Sequence, residues 1–170
     1  MTSADNQQER PNSVNEDELA NTLGHYLAGF VDGEGSFNVS IKKVEDRTLG
    51  WRVTACFNVS QRECAILEIS QKILGCGTIR QRRDGIYYFE VNSYRDLVER
   101  VIPFFRKYEL RSPSKVKTLV IFTRICEMMC AGEHLSATGV CEIVHLRNQM
   151  NNETSKRHRE DSEILASFDS

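Results

Sequence analysis

No run in this 170-residue chain approaches the ~20 consecutive apolar residues that a membrane helix needs. A membrane partner is therefore not expected. The opening stretch MTSADNQQERPNSVNEDE has no basic segment followed by an apolar core, so no secretory signal is read there. The six cysteines (56, 64, 76, 126, 130 and 141) include no CxxC pair. They are expected to be reduced thiols of a bacterial cytoplasm or an organellar matrix or stroma, not disulfides of a secreted protein. Cys126, Cys130 and His134 stand four residues apart, without the short loop spacings of a structural zinc site, and are read as small core residues. No GxxxxGK[ST], GxSxG or HExxH occurs. Their absence removes phosphate-loop nucleotidases, nucleophile-elbow hydrolases and zincin proteases.

What is present is ordinary globular composition, 40% apolar and 27% charged, enough for one domain with a real core. The net charge of −2 hides an uneven distribution. Residues 1–35 carry −6, residues 36–125 carry +8, and residues 126–170 carry −4. A basic middle between acidic ends leaves room for a polyanionic partner.

Residues 1–14 are polar and aperiodic, and are expected to be a disordered segment. Asn15 with Glu18 fits a capping box, and Leu19, Leu23, Tyr26, Leu27 and Phe30 then recur at helical spacing. Gly24, Ala28 and Gly29 lie on that helix. Glycine costs roughly 1 kcal/mol there against alanine, so close packing is implied, either on the chain's own sheet or against a second such helix. Gly33 or Gly35 ends it. Strands follow over 37–41 and 51–60, with Phe37, Val39, Ile41, Trp51, Val53, Ala55, Phe57 and Val59 on one face. A helix is expected over 61–74, with Ile66, Ile69, Ile73 and Leu74 inward and Gly75 stopping it. A hairpin over 78–91 turns at Asp84-Gly85. Ser93 caps a helix ended by Pro103, Ser112-Pro113 opens another, and a last helix reaches Met150. A polar tail is expected over 152–170. The order α-β-β-α-β-β-α predicts an α+β domain over 15–151, a four-stranded antiparallel sheet with helices on one face. The other face is polar and has nothing left to cover it. It is either solvated or a surface that hydrogen-bonds base edges.

The chemistry concentrates at LAGFVDGEGSF, 27–37. Asp32 and Glu34 sit where a helix dipole repels carboxylates. A divalent cation relieves that repulsion, and a solvated loop acid is the bland alternative. Gln61, at the end of the second strand, is suited to holding a water. Lys115, in the first turn of a helix, is awkward for the dipole unless it serves a phosphate.

LAGFVDGEGSF resembles the motif of the LAGLIDADG homing endonucleases, and IPFF at 102–105, Leu110, SK at 114–115 and AGEHLSATGVCEIVHLRNQMN at 131–151 resemble later parts of that family. The resemblance implies the family's αββαββα fold, its sheet saddle-shaped. It implies sequence-specific cleavage of double-stranded DNA at a long near-palindromic site, with Mg²⁺ or Mn²⁺ as cofactor and intron homing as the setting. One motif per chain implies a homodimer, whose motif helices meet at Gly24, Leu27, Ala28, Gly29 and Val31. Glu34 then holds metal, with the Gly33 carbonyl as a second ligand, and Gln61 orders water. Lys115 stabilises developing charge, with Lys117, Arg111 and Arg62 as alternative basic residues. The sheet residues Asn38, Ser40, Lys42, Arg52, Thr54, Asn58, Ser60, Thr78, Arg80, Arg82 and Tyr88 face the major groove. Two alternatives carry the same fold: an RNA maturase that binds intron RNA, and a DNA-binding regulator that does not cut.

Overall fold

The computed structural model describes residues 15–45, 49–150 and 155–168, side chains of 155–160 excepted. The expected disordered segment, 1–14, lies outside the described residues. Helix α1 (Glu16–Glu34) starts at Asn15, whose side chain accepts the N–H of Asp17 at 3.2 Å. Glu16, Asp17 and Glu18 occupy its first turn, where the dipole favours acids. It stops at Gly35, where a Cβ would stand 2.4 Å from Val31 Cγ1 and 2.8 Å from the Val31 carbonyl oxygen. That crowding excludes a side chain and lets the chain turn straight into a strand.

Strands β1 (Ser36–Lys43), β2 (Trp51–Gln61), β3 (Thr78–Gln81) and β4 (Tyr87–Val91) form one antiparallel sheet in the order β1-β2-β4-β3. Period-two alternation decides its faces. Phe37, Val39, Ile41, Val53, Ala55, Phe57, Val59, Phe89 and Val91 are buried. They pack beneath α1, α2 (Ala65–Leu74) and α5 (Pro113–Cys130). The Phe37 ring lies 5.2 Å from both Phe57 and Phe122 and meets Phe105 edge-on at 5.7 Å. The result is the expected α+β layer, with its polar face half-buried to exposed.

Three local expectations are corrected. Gln61 closes β2 instead of opening α2, which begins at Ala65. Leu67, Ser70 and Leu74 are the buried residues of α2, and Ile69 is 38% exposed. The apolar residues of that helix cover one broad arc, and packing seats it on the edge at Leu67 and Leu74 instead of the centre near Ile66 and Ile73. Ser70 turns inward because its hydroxyl donates to the Ile66 carbonyl at 2.7 Å.

Pro103 does not end its helix. Segments α3 (Tyr94–Asp96), a π-turn (Leu97–Val101) and α4 (Ile102–Lys107) are continuous. The π-turn resets the ladder, with the Ile102 N–H bonding the Leu97 carbonyl. Pro103 then falls at the start of a fresh turn, where its missing N–H is harmless.

The polar tail is also overturned in part. Beyond α6 (Ala137–Met150), residues Ser155–Ala166 form α7. Ile164 is fully buried, and Trp51 Nε1 donates to Ser167 Oγ at 3.0 Å. Arg147 of α6 and Asp161 of α7 form an ion pair with side chains only 5% and 4% exposed. Loss of one member of a buried ion pair is strongly destabilising, so Asp161→Ala is expected to cost about 3 kcal/mol of unfolding free energy in urea titrations. The exposed neighbour Glu163→Ala is the control, with a change within about 0.5 kcal/mol. Equal losses at both positions would remove the pair's special role. Among the described residues no helix is long and apolar enough to cross a membrane.

Candidate active site

The end of α1, the start of β1 and the start of α5 converge. Glu34 is the last residue of α1 and is exposed. No base occupies that helix's last turn, and among the described residues none pairs with the Glu34 carboxylate. Asp32, two residues earlier, has a different task. Its Oδ2 accepts the backbone N–H groups of Arg111 at 2.9 Å and Ser112 at 2.8 Å. Those amides immediately precede α5, so one carboxylate ties the end of one helix to the start of another. Its other oxygen, Oδ1, is buried without a partner. Lys115, in the first turn of α5, donates from Nζ to the Gly35 carbonyl. Its ammonium therefore sits beside the residue that follows Glu34, at the negative end of the α1 dipole.

Gln61 lies three residues beyond Asn58, which pairs with Ser36. The register thus carries Gln61 past the first residue of β1, toward the α1–β1 junction. Of the other basic candidates, Arg111 is ion-paired with Glu109 at 3.6 Å. Arg62 is exposed beyond the end of β2. Lys117 shares with Lys115 a cleft of about 510 Å³ that Ser36, Ser114, Asn148 and Gln149 also line. Lys115 is the base that touches the junction.

The donor chemistry fits a hard cation. An exposed carboxylate with no competing base, beside the Gly33 carbonyl, suits Mg²⁺, which binds through one or two carboxylates and keeps water and phosphate ligands. Among the described residues no group of three or more His, Cys, Asp or Glu side chains could hold a metal ion alone.

The small residues of α1 divide in a way the sequence pattern does not show. Leu27 and Val31 are 0% exposed and Ala28 is 3% exposed, all within the chain's own core. A Cβ on Gly24 would stand 2.3 Å from the Tyr108 ring. Within the single chain these four are engaged in internal packing. Gly29, by contrast, is exposed, and its added Cβ would meet nothing within 4 Å; the same holds for Gly33. With the exposed Leu19 and Tyr26 they form an outward stripe along α1.

The polar face of the sheet arranges the residues expected there, Arg82 excepted, in rows set by the register. Lys42 pairs with Arg52, Ser40 with Thr54 and Asn38 with Cys56. Asn58 and Thr78 flank Glu90, and Ser60 and Arg80 flank Tyr88. Arg82 lies just past β3, where it hydrogen-bonds the Tyr88 hydroxyl and stands 4.8 Å over its ring. Burial pushes the Cys56 thiol up, against the pull of the Asn58 hydrogen bond and the Arg80 charge, so it stays neutral on this face. Sequence reasoning left Asp32 without a role and did not reach the cleft beside Lys117. No local signal marks either, because the partners lie some eighty residues away.

Comparisons with known proteins converge on one family. The LAGLIDADG endonuclease family model matches residues 27–126. A probable intron-encoded endonuclease of Neurospora crassa is 33% identical over 139 residues, covering 79% of this chain and 30% of the relative. The DNA endonuclease I-CvuI of Chlorella vulgaris is 41% identical over 85 residues, 46% of this chain and 52% of the relative. The chain thus spans about a third to a half of the length of these curated relatives. The homing endonuclease I-TnaI matches with a TM-score of 0.75 at 30% identity, covering 84% of this chain and 97% of that one. The homing endonuclease I-LtrWI, bound to target DNA, matches with a TM-score of 0.78 at 27% identity, covering 84% of this chain and 49% of that one. I-SmaMI, bound to uncleaved DNA in the presence of calcium ions, matches with a TM-score of 0.75 at 29% identity, covering 86% and 49%.

Proposed function

The chain belongs to the LAGLIDADG endonuclease family, and on that premise we propose that two copies of it cut both strands of a long, near-palindromic DNA site by metal-dependent phosphodiester hydrolysis. The observation that carries the reading is the junction itself: an unpaired, exposed Glu34 beside a carbonyl already held by Lys115. Pairing of two copies is supported by coverage. This chain accounts for nearly all of I-TnaI but about half of the DNA-bound I-LtrWI and I-SmaMI chains. The outward stripe of α1, with Gly29 and Gly33, is the contact that brings the two Glu34 side chains together.

Glu34 and the Gly33 carbonyl would hold Mg²⁺ or Mn²⁺. When bound, the cation polarises the scissile phosphate and lowers the pKa of a coordinated water. Gln61 hydrogen-bonds and orients the attacking water. Lys115 leaves the Gly35 carbonyl for the phosphate, or shares itself between them, and stabilises the charge that develops on the transferring group. Asp32 keeps the start of α5 in place, so that this ammonium stays within reach. Affinity comes from bases around the sheet, such as Lys43 and Arg83, and sequence from the polar rows of the sheet. The two-fold symmetry of a dimer presents those rows twice, which is why the target is near-palindromic.

The test is a cleavage-site selection on randomised near-palindromic duplexes with Mg²⁺, repeated with chelator. Double-strand breaks at a discrete family of sites, lost on chelation, are expected. Selective binding with no cutting in Mg²⁺ or Mn²⁺ would overturn the catalytic reading in favour of a regulator.

A further inference from the structure

Glu90 is the only carboxylate in the four strands, and it lies on the polar face among hydrogen-bonding and basic residues. A negative charge turned toward phosphates opposes binding unless it has a second task. The structure shows a partner for it. Glu90 forms an ion pair with Arg80 of the neighbouring strand β3. The Glu90 side chain is 21% exposed and that of Arg80 is 66% exposed, so the carboxylate lies low against the sheet and the guanidinium stands above it. Glu90 is flanked by Asn58 on one side and Thr78 on the other. The Arg80 charge is also felt at Cys56, two residues before Asn58 on β2. From the edge strand β3, Arg80 thus reaches inward to Glu90 of β4.

We propose that the Glu90–Arg80 pair reads one guanine in the major groove of each half-site, with Arg80 donating to guanine O6 and N7 and Glu90 fixing its orientation. This rests on the DNA-cutting reading above and adds to it a base identity and a positioning residue. Guanine is the base that presents two acceptors on its major-groove edge, and the planar fork of arginine matches them. Glu90 engages one terminal nitrogen of that fork, Nη2, and the guanidinium has further N–H donors for a base edge. A free arginine on the same surface would serve any phosphate. One anchored to a carboxylate has its charge partly neutralised and its donors aimed, which favours base reading over phosphate binding. Arg82 offers the contrast within the same hairpin. It is held by the hydroxyl and ring of Tyr88, and among the described residues its nearest carboxylate is Asp84 Oδ2 at 3.8 Å, so it has no close carboxylate to offset its charge.

The experiment is a binding selection on randomised duplexes in chelator, where cutting does not intervene, with the wild type, Arg80→Ala, Glu90→Gln and Arg82→Ala. The wild type is expected to select guanine at one position and its symmetry mate. Arg80→Ala is expected to lower that preference about 10- to 100-fold and leave other positions intact. Glu90→Gln is expected to flatten the same position about tenfold while binding to unrelated DNA stays equal or tightens, since a negative charge is gone. Arg82→Ala is expected to weaken all sequences evenly. If Glu90→Gln tightens every sequence equally and leaves the guanine preference unchanged, the positioning role is overturned. If selective binding persists with no position that responds to Arg80, base reading by the pair is overturned while the DNA-binding reading stands. If the wild type selects no sequence at all, both fall.

Discussion

Glu34→Gln is expected to bind its DNA as well as the parent protein and to cut it about 10³-fold more slowly or worse. The amide keeps the size and the hydrogen-bonding oxygen of the side chain and removes only its charge. A metal's contribution to phosphodiester hydrolysis is several kcal/mol, and about 4 kcal/mol corresponds to three decades in rate. No described neighbour can take over. Asp32, the nearest acid in sequence, spends one oxygen on the amides of Arg111 and Ser112 and keeps the other buried. Single-turnover cleavage in Mg²⁺, with affinity measured separately in chelator, separates the two effects. A variant that cuts within tenfold of the parent would move the metal away from this residue.

Gly29→Leu and Gly24→Ala are expected to fail in opposite ways, although the two glycines lie five positions apart in one helix. Leucine is the better helix former by about 0.7 kcal/mol, and its Cβ meets nothing around Gly29 within one chain. The single chain should therefore fold at least as well as before. Two copies pressed together at that stripe would be overpacked by about 1–3 kcal/mol in each subunit, or roughly one to four decades in dimer dissociation constant. Cleavage would be lost with the dimer, because each Glu34 would be separated from its mate. At Gly24 the added methyl enters the ring of Tyr108, which is 6% exposed and already packed on Phe104 and His25. That substitution is expected to lower chain stability by about 1–3 kcal/mol. Sedimentation and thermal unfolding of both variants decide the matter. A Gly29→Leu protein that still dimerises like the parent would remove the stripe from the interface.

The difference between these glycines also marks where sequence reading reaches and where it stops. Both are small residues in the same run, and periodicity assigns them together. What separates them is Tyr108, more than eighty positions away, which fills the space over one and not the other. The strands were legible because burial on one face imposes a two-residue alternation that no other structure imitates, as in Trp51–Gln61. Glu34 was legible because its awkward position on a helix end is a local fact. Asp32 was not, since its partners are backbone amides across the fold. Helix α2 concealed its face because its apolar arc is broad and only packing selects the edge at Leu67 and Leu74. Pro103 was misread because a π-turn, invisible in composition, shifts the hydrogen-bond ladder ahead of it. In α7, Ile164 is the sole fully buried hydrophobic among the side chains described, and the helix is anchored by Asp161 on an arginine of the preceding helix. A largely polar stretch of that kind reads as tail.

Helix α7 therefore dictates how two copies can be joined end to end in one polypeptide. A linker grafted after Met150 would discard Ile164 and Asp161, and with them the ion pair to Arg147 and the Ser167 hydroxyl beneath Trp51. A fusion must carry each copy through Phe168, which still packs on the core, before any flexible spacer begins. Made that way, the two halves become separately mutable, and each could be given its own version of the Arg80–Glu90 row to address a site that is no longer a palindrome.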